Sequence, residues 1–288
     1  MLGASAQLKQ RPAHVGLIYP ISTNGVQARQ YSNEISLHVI AGVSGAETGF
    51  AMSGVGLRVD SGTRGVIVSG VFNRVGGNVR DVQLAGLFNQ TGGHVDGVQV
   101  AGLLNQIGGH VDGLQVAGFL NQTRGHANGV QAAGFLNLAG SSRGLAAAGF
   151  GNISRDSAGS QLAGFFNIAK GVRGVQAGGF INIAKDVRGV QAAGFVNRSA
   201  DVYGIQTAGF INIARKVHGV QIAGFINIAD SCDYPIALLS FIRGGEKSLG
   251  FSYDETGSTL LTFRSGGRKL YSLVGVGYNG RHGDSLFV

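Results

Sequence analysis

The amino-acid sequence predicts an all-β fold, a β-solenoid of about 11–12 rungs of 15–16 residues flanked by antiparallel strands. Three observations carry this expectation. One phrase, cleanest as Gly219-Val-Gln-Ile-Ala-Gly-Phe-Ile-Asn-Ile-Ala229, recurs from Gly65 to Ala229, with its asparagines at Asn73, Asn89, Asn105, Asn121, Asn137, Asn152, Asn167, Asn182, Asn197, Asn212 and Asn227. The spacing is 16 residues up to Asn137 and 15 thereafter. The chain holds 51 glycines but only 3 prolines, with 13% charged and 44% hydrophobic residues, which excludes collagen and Pro-rich disorder and describes a turn-rich β protein with a thin polar coat. The third observation is geometric. A straight strand of nine or ten residues covers roughly 30 Å, and the few residues left in each repeat cannot return the chain to start a parallel copy. A corner at the second glycine of the phrase solves this, giving two short strands and a turn per rung. Without that corner the repeats form an antiparallel meander or β-barrel, which is the alternative.

Along the chain, Met1–Gln7 has the small-x-small ending of a signal peptide and reads as its remnant, with the start lying upstream. Residues 8–48 form an N-terminal strand region, with strands over Val15-Gly-Leu-Ile-Tyr19 and Ile35-Ser-Leu-His-Val-Ile-Ala-Gly42. Residues 49–229 are the repeat domain, opened by the degenerate copy Phe50-Ala-Met-Ser-Gly-Val-Gly-Leu57. Residues 230–288 read as a C-terminal antiparallel region, a cap on the last rung or part of a barrel, and Leu286-Phe-Val288 begins a strand that the chain does not finish. No run of 18 apolar residues marks a transmembrane helix.

Within the rungs, corner glycines such as Gly179 and Gly194 are expected because a left-handed backbone has no Cβ to clash there. The following Phe is expected to fill the interior, and the Asn to stack on its copies, bonding along the ladder or to turn backbone. Alternation then turns the residue between them outward, giving an apolar row that includes Phe166, Ile181, Ile211 and Ile226. Such a row implies that something covers it. Beside it, Lys170, Arg173, Lys185 and Arg188 lie on turns and complete a possible interaction face for an anionic surface.

The Gly-x-Gln-x-Ala-Gly-Phe-x-Asn phrase resembles the bacterial surface-repeat-containing family of envelope proteins. The resemblance covers residues 49–229, and the segments Tyr19-Pro-Ile-Ser-Thr-Asn-Gly25 and Pro235 to Tyr278 look similar as well. It implies a location in the bacterial envelope, at the outer membrane or cell surface, with no activity to transfer to particular residues. This chain departs from the phrase at Leu57, Ala146 and Gly151.

Chemistry is sparse. His94, His110 and His126 recur one rung apart near Asp96 and Asp112, but imidazoles stacked along a flat ladder do not converge on one ion, so they read as solvated turn residues. The 15 acidic residues are scattered, without a Ser-His-Asp or paired-carboxylate arrangement. Cys232 is the single cysteine, which rules out an internal disulfide. The net charge of +8 comes with no nucleic-acid motif. The expectation is therefore a non-enzymatic scaffold without metal, cofactor, nucleic-acid or small-molecule partner, which meets the outer membrane or another envelope protein. The oligomeric state is not legible. The second expectation is an outer-membrane channel whose Gln and Asn columns face a lumen.

Overall fold

The computed structural model describes residues 8–255, 257–267, 269–279 and 286–287. The proposed signal remnant Met1–Gln7 lies outside them. The chain divides into two compact units, residues 1–159 and 160–288. The described residues form a parallel β-solenoid of about 14 turns and a small antiparallel sheet.

In the first unit, Val79–Ala85, Val95–Ala101 and Val111–Ala117 lie parallel with every residue opposite its copy, as Gln83, Gln99 and Gln115 show. Phe88–Thr91 and Leu104–Ile107 do the same on the neighbouring side, and a Gly-Gly turn such as Gly108-Gly109 closes the rung. In the second unit, Phe166–Gly178 and Ile181–Ala193 each run as one strand through that turn, paired parallel from Phe166↔Ile181 to Gly178↔Ala193. Parallel pairing of copies excludes the antiparallel meander.

The coil also extends beyond the repeated phrase. Lys9–Ile18 pairs parallel with Tyr31–Ser44, which pairs parallel with Ala46–Ser53 and Gly56–Val59. At the other end Ser231–Ile236 and Leu239–Ile242 stack parallel on Lys216–Ala223 and Ile226–Ala229. Only then do Lys247–Tyr253, Ser258–Gly266, Tyr271–Asn279 and Leu286–Phe287 form an antiparallel sheet.

The two glycine columns of the phrase have different physical reasons. The first has positive φ at most positions, as at Gly113 (134°), Gly189 (132°) and Gly219 (136°), and where Asp81 stands in that column its φ is also positive, at 81°. The corner column does not need a left-handed backbone, contrary to the sequence expectation. A Cβ at Gly194 would overlap the carbonyl oxygen of Gly179, and one at Gly118 that of Gly102. Close stacking of corners, not dihedral angle, excludes a side chain there.

The interior is largely amide. Each Asn Nδ2 donates to the Oδ1 of the next rung: Asn73 to Asn89 at 3.0 Å, Asn89 to Asn105 at 3.0 Å, and on to Asn152 in the first unit. In the second unit Asn167, Asn182, Asn197 and Asn212 donate in turn, ending on Asn227 at 3.1 Å. The same nitrogen also donates to a carbonyl just before the corner, as Asn167 does to Ala177 at 2.7 Å. Stacking and backbone satisfaction are thus combined in one side chain. The glutamines run the opposite way, with Gln99 donating to Gln83 at 2.8 Å and Gln206 to Gln191 at 2.8 Å. Buried Val and Ala fill the space between, as Val79, Val95 and Val111 do. A buried amide costs little when bonded and about 1–3 kcal/mol when not, so the ladders are favourable because each partner is supplied by the next copy.

Candidate interaction surfaces

The residue after the corner glycine faces outward, which corrects the expectation that it fills the coil. Phe165, Phe180, Phe195, Phe210 and Phe225 are 37–41% exposed. Their rings stack at 4.9, 5.0, 4.9 and 5.1 Å, so neighbouring faces cover one another and the edges meet solvent. In the first unit Phe119, Phe135 and Phe150 repeat the arrangement at 4.8 Å. The expectation failed because Gly-Phe is a bend, and period-2 alternation cannot be counted through a corner. Counted from the Asn instead, Phe166, Ile181, Ile211 and Ile226 are half-buried beside this row.

Lys170, Arg173, Lys185 and Arg188 are exposed, and they lie within the strands Phe166–Gly178 and Ile181–Ala193 rather than on turns. Register places Arg173, Arg188, Tyr203 and His218 one above another. The Arg188 guanidinium sits 5.8 Å from the Tyr203 ring centre, and Tyr203 stacks on His218 at 4.8 Å. Acidic side chains interrupt this edge. Asp186 and Asp201 are adjacent copies, and the Arg215 guanidinium bonds Asp201, holding its carboxyl below the usual range. The edge is therefore basic but partly self-neutralised.

His94, His110 and His126 stack at 4.8 and 4.7 Å. The backbone N–H of His110 donates to His94 Nδ1 at 2.9 Å, and that of His126 to His110 Nδ1 at 2.8 Å. Nδ1 of His94 and His110 is thus committed as an acceptor, and His126 Nδ1 pairs with Ser141 Oγ, so this nitrogen is engaged within the protein on all three rings. Among the described residues no group of three or more His, Cys, Asp or Glu is placed to hold a metal.

One polar cluster was missed from sequence. Inside the N-terminal turns, Ser36 Oγ donates to the Glu47 carboxylate at 2.8 and 2.9 Å, and Asn33 Nδ2 donates to it at 3.3 Å. Asn24 Nδ2 donates to Asn33 Oδ1 at 2.9 Å, and the His14 and His38 rings meet edge-on at 4.5 Å. Glu47 is 1% exposed, and burial raises its carboxyl to about 6. Burial, reinforced by His38, lowers His14 to about 4, and burial lowers His38 too. A signal for Glu47 was present: the 16-residue period carried backwards from Val95 through Val79 and Thr63 reaches it, in an inward column. The cluster is buried; Glu47, Ser36 and Asn33 are bonded to one another, while both His38 ring nitrogens and Asn24 Oδ1 have no hydrogen-bond partner among the described residues.

Near the end of the coil a recess is lined by Asp230, Cys232, Asp233, Ile242 and Lys269. Burial pushes the Cys232 thiol up to about 11, which leaves it protonated and unreactive at neutral pH. No family model, curated protein or solved structure matches the chain.

Proposed function

We propose that this protein is a non-enzymatic scaffold of the bacterial envelope, located at the outer membrane or cell surface, which presents a rigid repeated surface to the membrane or to another envelope protein. The observation that carries the reading is the outward row Phe165, Phe180, Phe195, Phe210 and Phe225, flanked by half-buried aliphatics and a basic edge. Contiguous exposed apolar rows mark interaction sites in folded proteins. The resemblance of the Gly-x-Gln-x-Ala-Gly-Phe-x-Asn phrase to surface-repeat envelope proteins supports the same location. The interior amides bond to each other and to backbone, and the buried carboxylate Glu47 is bonded to Ser36 and Asn33, which fits structural use of polar groups rather than catalysis.

A channel walled by the repeats is the weaker reading, because that wall requires antiparallel neighbours and Gln and Asn side chains facing water. Cell fractionation tests the proposal. The protein is expected with the outer-membrane or surface fraction, and recovery in the soluble cytoplasm would sink it.

A further inference from the structure

We infer that the open face of the C-terminal sheet is a lipid-binding face that seats in one leaflet of an anionic membrane. This rests on the envelope reading above and adds the element and the lipid chemistry involved. Antiparallel pairing aligns Leu249, Phe263 and Val274 in one row, Phe251, Leu261 and Val276 in the next, and Tyr253, Thr259 and Tyr278 in the third. Directly opposed residues share a face, so these nine side chains form one surface. The other face carries Gly250, Thr262 and Gly275 along its middle row. Ser248, Arg264 and Leu273 on one side and Ser252, Leu260 and Gly277 on the other flank that row. Bulky apolar side chains are thus concentrated on the first face, with Leu260 and Leu273 the exceptions on the second, the bias of strands with one face against lipid.

Among the described residues the apolar side is largely uncovered. Leu249 is 76%, Phe251 71%, Tyr253 69% and Leu261 54% exposed. Polar contacts to the coil lie at the sheet's inner end, where Ser240 N–H donates to Ser265 Oγ at 3.1 Å and Ser272 Oγ donates to the Ala237 carbonyl at 2.6 Å. A small sheet with both faces in water is only marginally stable, so an apolar face of this kind calls for a cover.

Length and charge choose the occupant. From Leu249 to Tyr253 the apolar rows extend about 14 Å at about 3.4 Å per residue, far short of the roughly 25 Å band of a spanning barrel. The face therefore lies flat on the membrane, entering one leaflet. Lys247 continues the same face at its inner end, where Arg243 stands 4.0 Å from Asp230 and Lys269 lies 5.4 Å from the Tyr234 ring centre, on a chain of net charge +8. These cations complement anionic headgroups along that edge. Tyr253 and Tyr278 hold the outer edge, where rings with one polar end settle at a membrane boundary. Glu246, Asp254 and Glu255 lie on turns at the two ends, and Asp254 accepts the Ser258 N–H at 3.0 Å. A flat posture keeps these acids in water, whereas insertion tip-first would bury Asp254 and Glu255.

The chain has no tryptophan, so Phe251→Trp supplies a single reporter. With the full chain and vesicles of phosphatidylcholine mixed with phosphatidylglycerol, its emission is expected to shift to the blue. Lipids brominated on the acyl chain are expected to quench it. Phosphatidylcholine alone is expected to bind more weakly. Replacing both Leu249→Ser and Phe251→Ser is expected to weaken vesicle partitioning by on the order of 100-fold. Absence of quenching at Phe251→Trp would overturn the inference, whatever the double variant does. Equal binding to uncharged vesicles would overturn its charge argument. A blue shift that grows with protein concentration without vesicles would assign the face to a second copy instead. A protein that fractionates with the envelope but shows no quenching refutes this inference alone, whereas recovery in the cytoplasm refutes the envelope reading itself.

Discussion

In the rungs between Phe166 and Ala229, the side chains turned inward are Asn, Gln, Val and Ala, while phenyl rings stand on the outer corner. In the strands between Lys247 and Asn279, leucine, phenylalanine and valine lie on a face that is open to solvent. The coil can afford an interior of amides because its strands are copies in register: the partner for each Asn or Gln is the same residue one rung away. The antiparallel sheet has no such copies. Its rows combine Leu249 with Phe263 and Val274, which pack by area alone and require a cover. The coil is self-sufficient inside, whereas the sheet leaves an apolar face open.

The largest expected effect tests the coil's closeness of stacking. Gly194→Ala places a Cβ onto the Gly179 carbonyl oxygen and must displace backbone in two rungs. Chemical denaturation is expected to show a loss of about 4 kcal/mol or more, or failure to fold. A loss below about 1 kcal/mol would mean the corners are looser than described.

Next comes the ladder. Asn182→Leu removes the donors to Asn197 Oδ1 and the Ala192 carbonyl, and leaves Asn167 Nδ2 without its next acceptor. With unsatisfied buried groups costing about 1–3 kcal/mol each, the loss is expected near 3 kcal/mol. Ile181→Ser, one residue away and half-buried, is expected to lose about 1 kcal/mol or less. Thermal melts that reversed this order would exchange inside and outside.

The N-terminal turns give a smaller, pH-dependent contrast. Glu47 has a folded value of about 6 against 4.5, so its stabilising contribution is fully present below 4.5 and is lost as pH rises through about 6. That difference is worth about 2 kcal/mol. Glu47→Gln is therefore expected to be more stable than the parent at pH 7.5 by an amount that shrinks toward pH 4.5. His14 has the opposite sign. Its contribution is present above 6.5 and is lost as pH falls through about 4. In Glu47→Gln the fall in stability on acidification is thus expected to be steeper than in the parent, and equal slopes would refute the assignment.

The coil was legible as the favoured geometry from the Asn spacing and the short return distance, with the antiparallel meander left open until parallel pairing of the copies excluded it. The Asn ladder was legible for the same reason: one amide type at every period requires a copy as its partner. The direction of Phe180 was not, since the Gly179-Phe180 bend resets alternation. The corner glycines were identified correctly as corners but for the wrong cause, because stacking distance between carbonyls is not written in a single rung. The N-terminal turns were obscured by irregular spacing, with the pairing slipping between Asn33 and Ile35. Aligning Glu47 on the Val79 column would have exposed a carboxylate at an interior position.

The comparison between coil and sheet is tested most directly by hydrogen exchange of the backbone, followed by mass spectrometry with and without anionic vesicles. Peptides from Phe166 to Ala229 are expected to exchange slowly in both conditions. Peptides from Lys247 to Asn279 are expected to exchange rapidly in solution and slowly once vesicles are added. Equal protection of the two regions in solution, or a sheet that gains none on vesicles, would contradict the account.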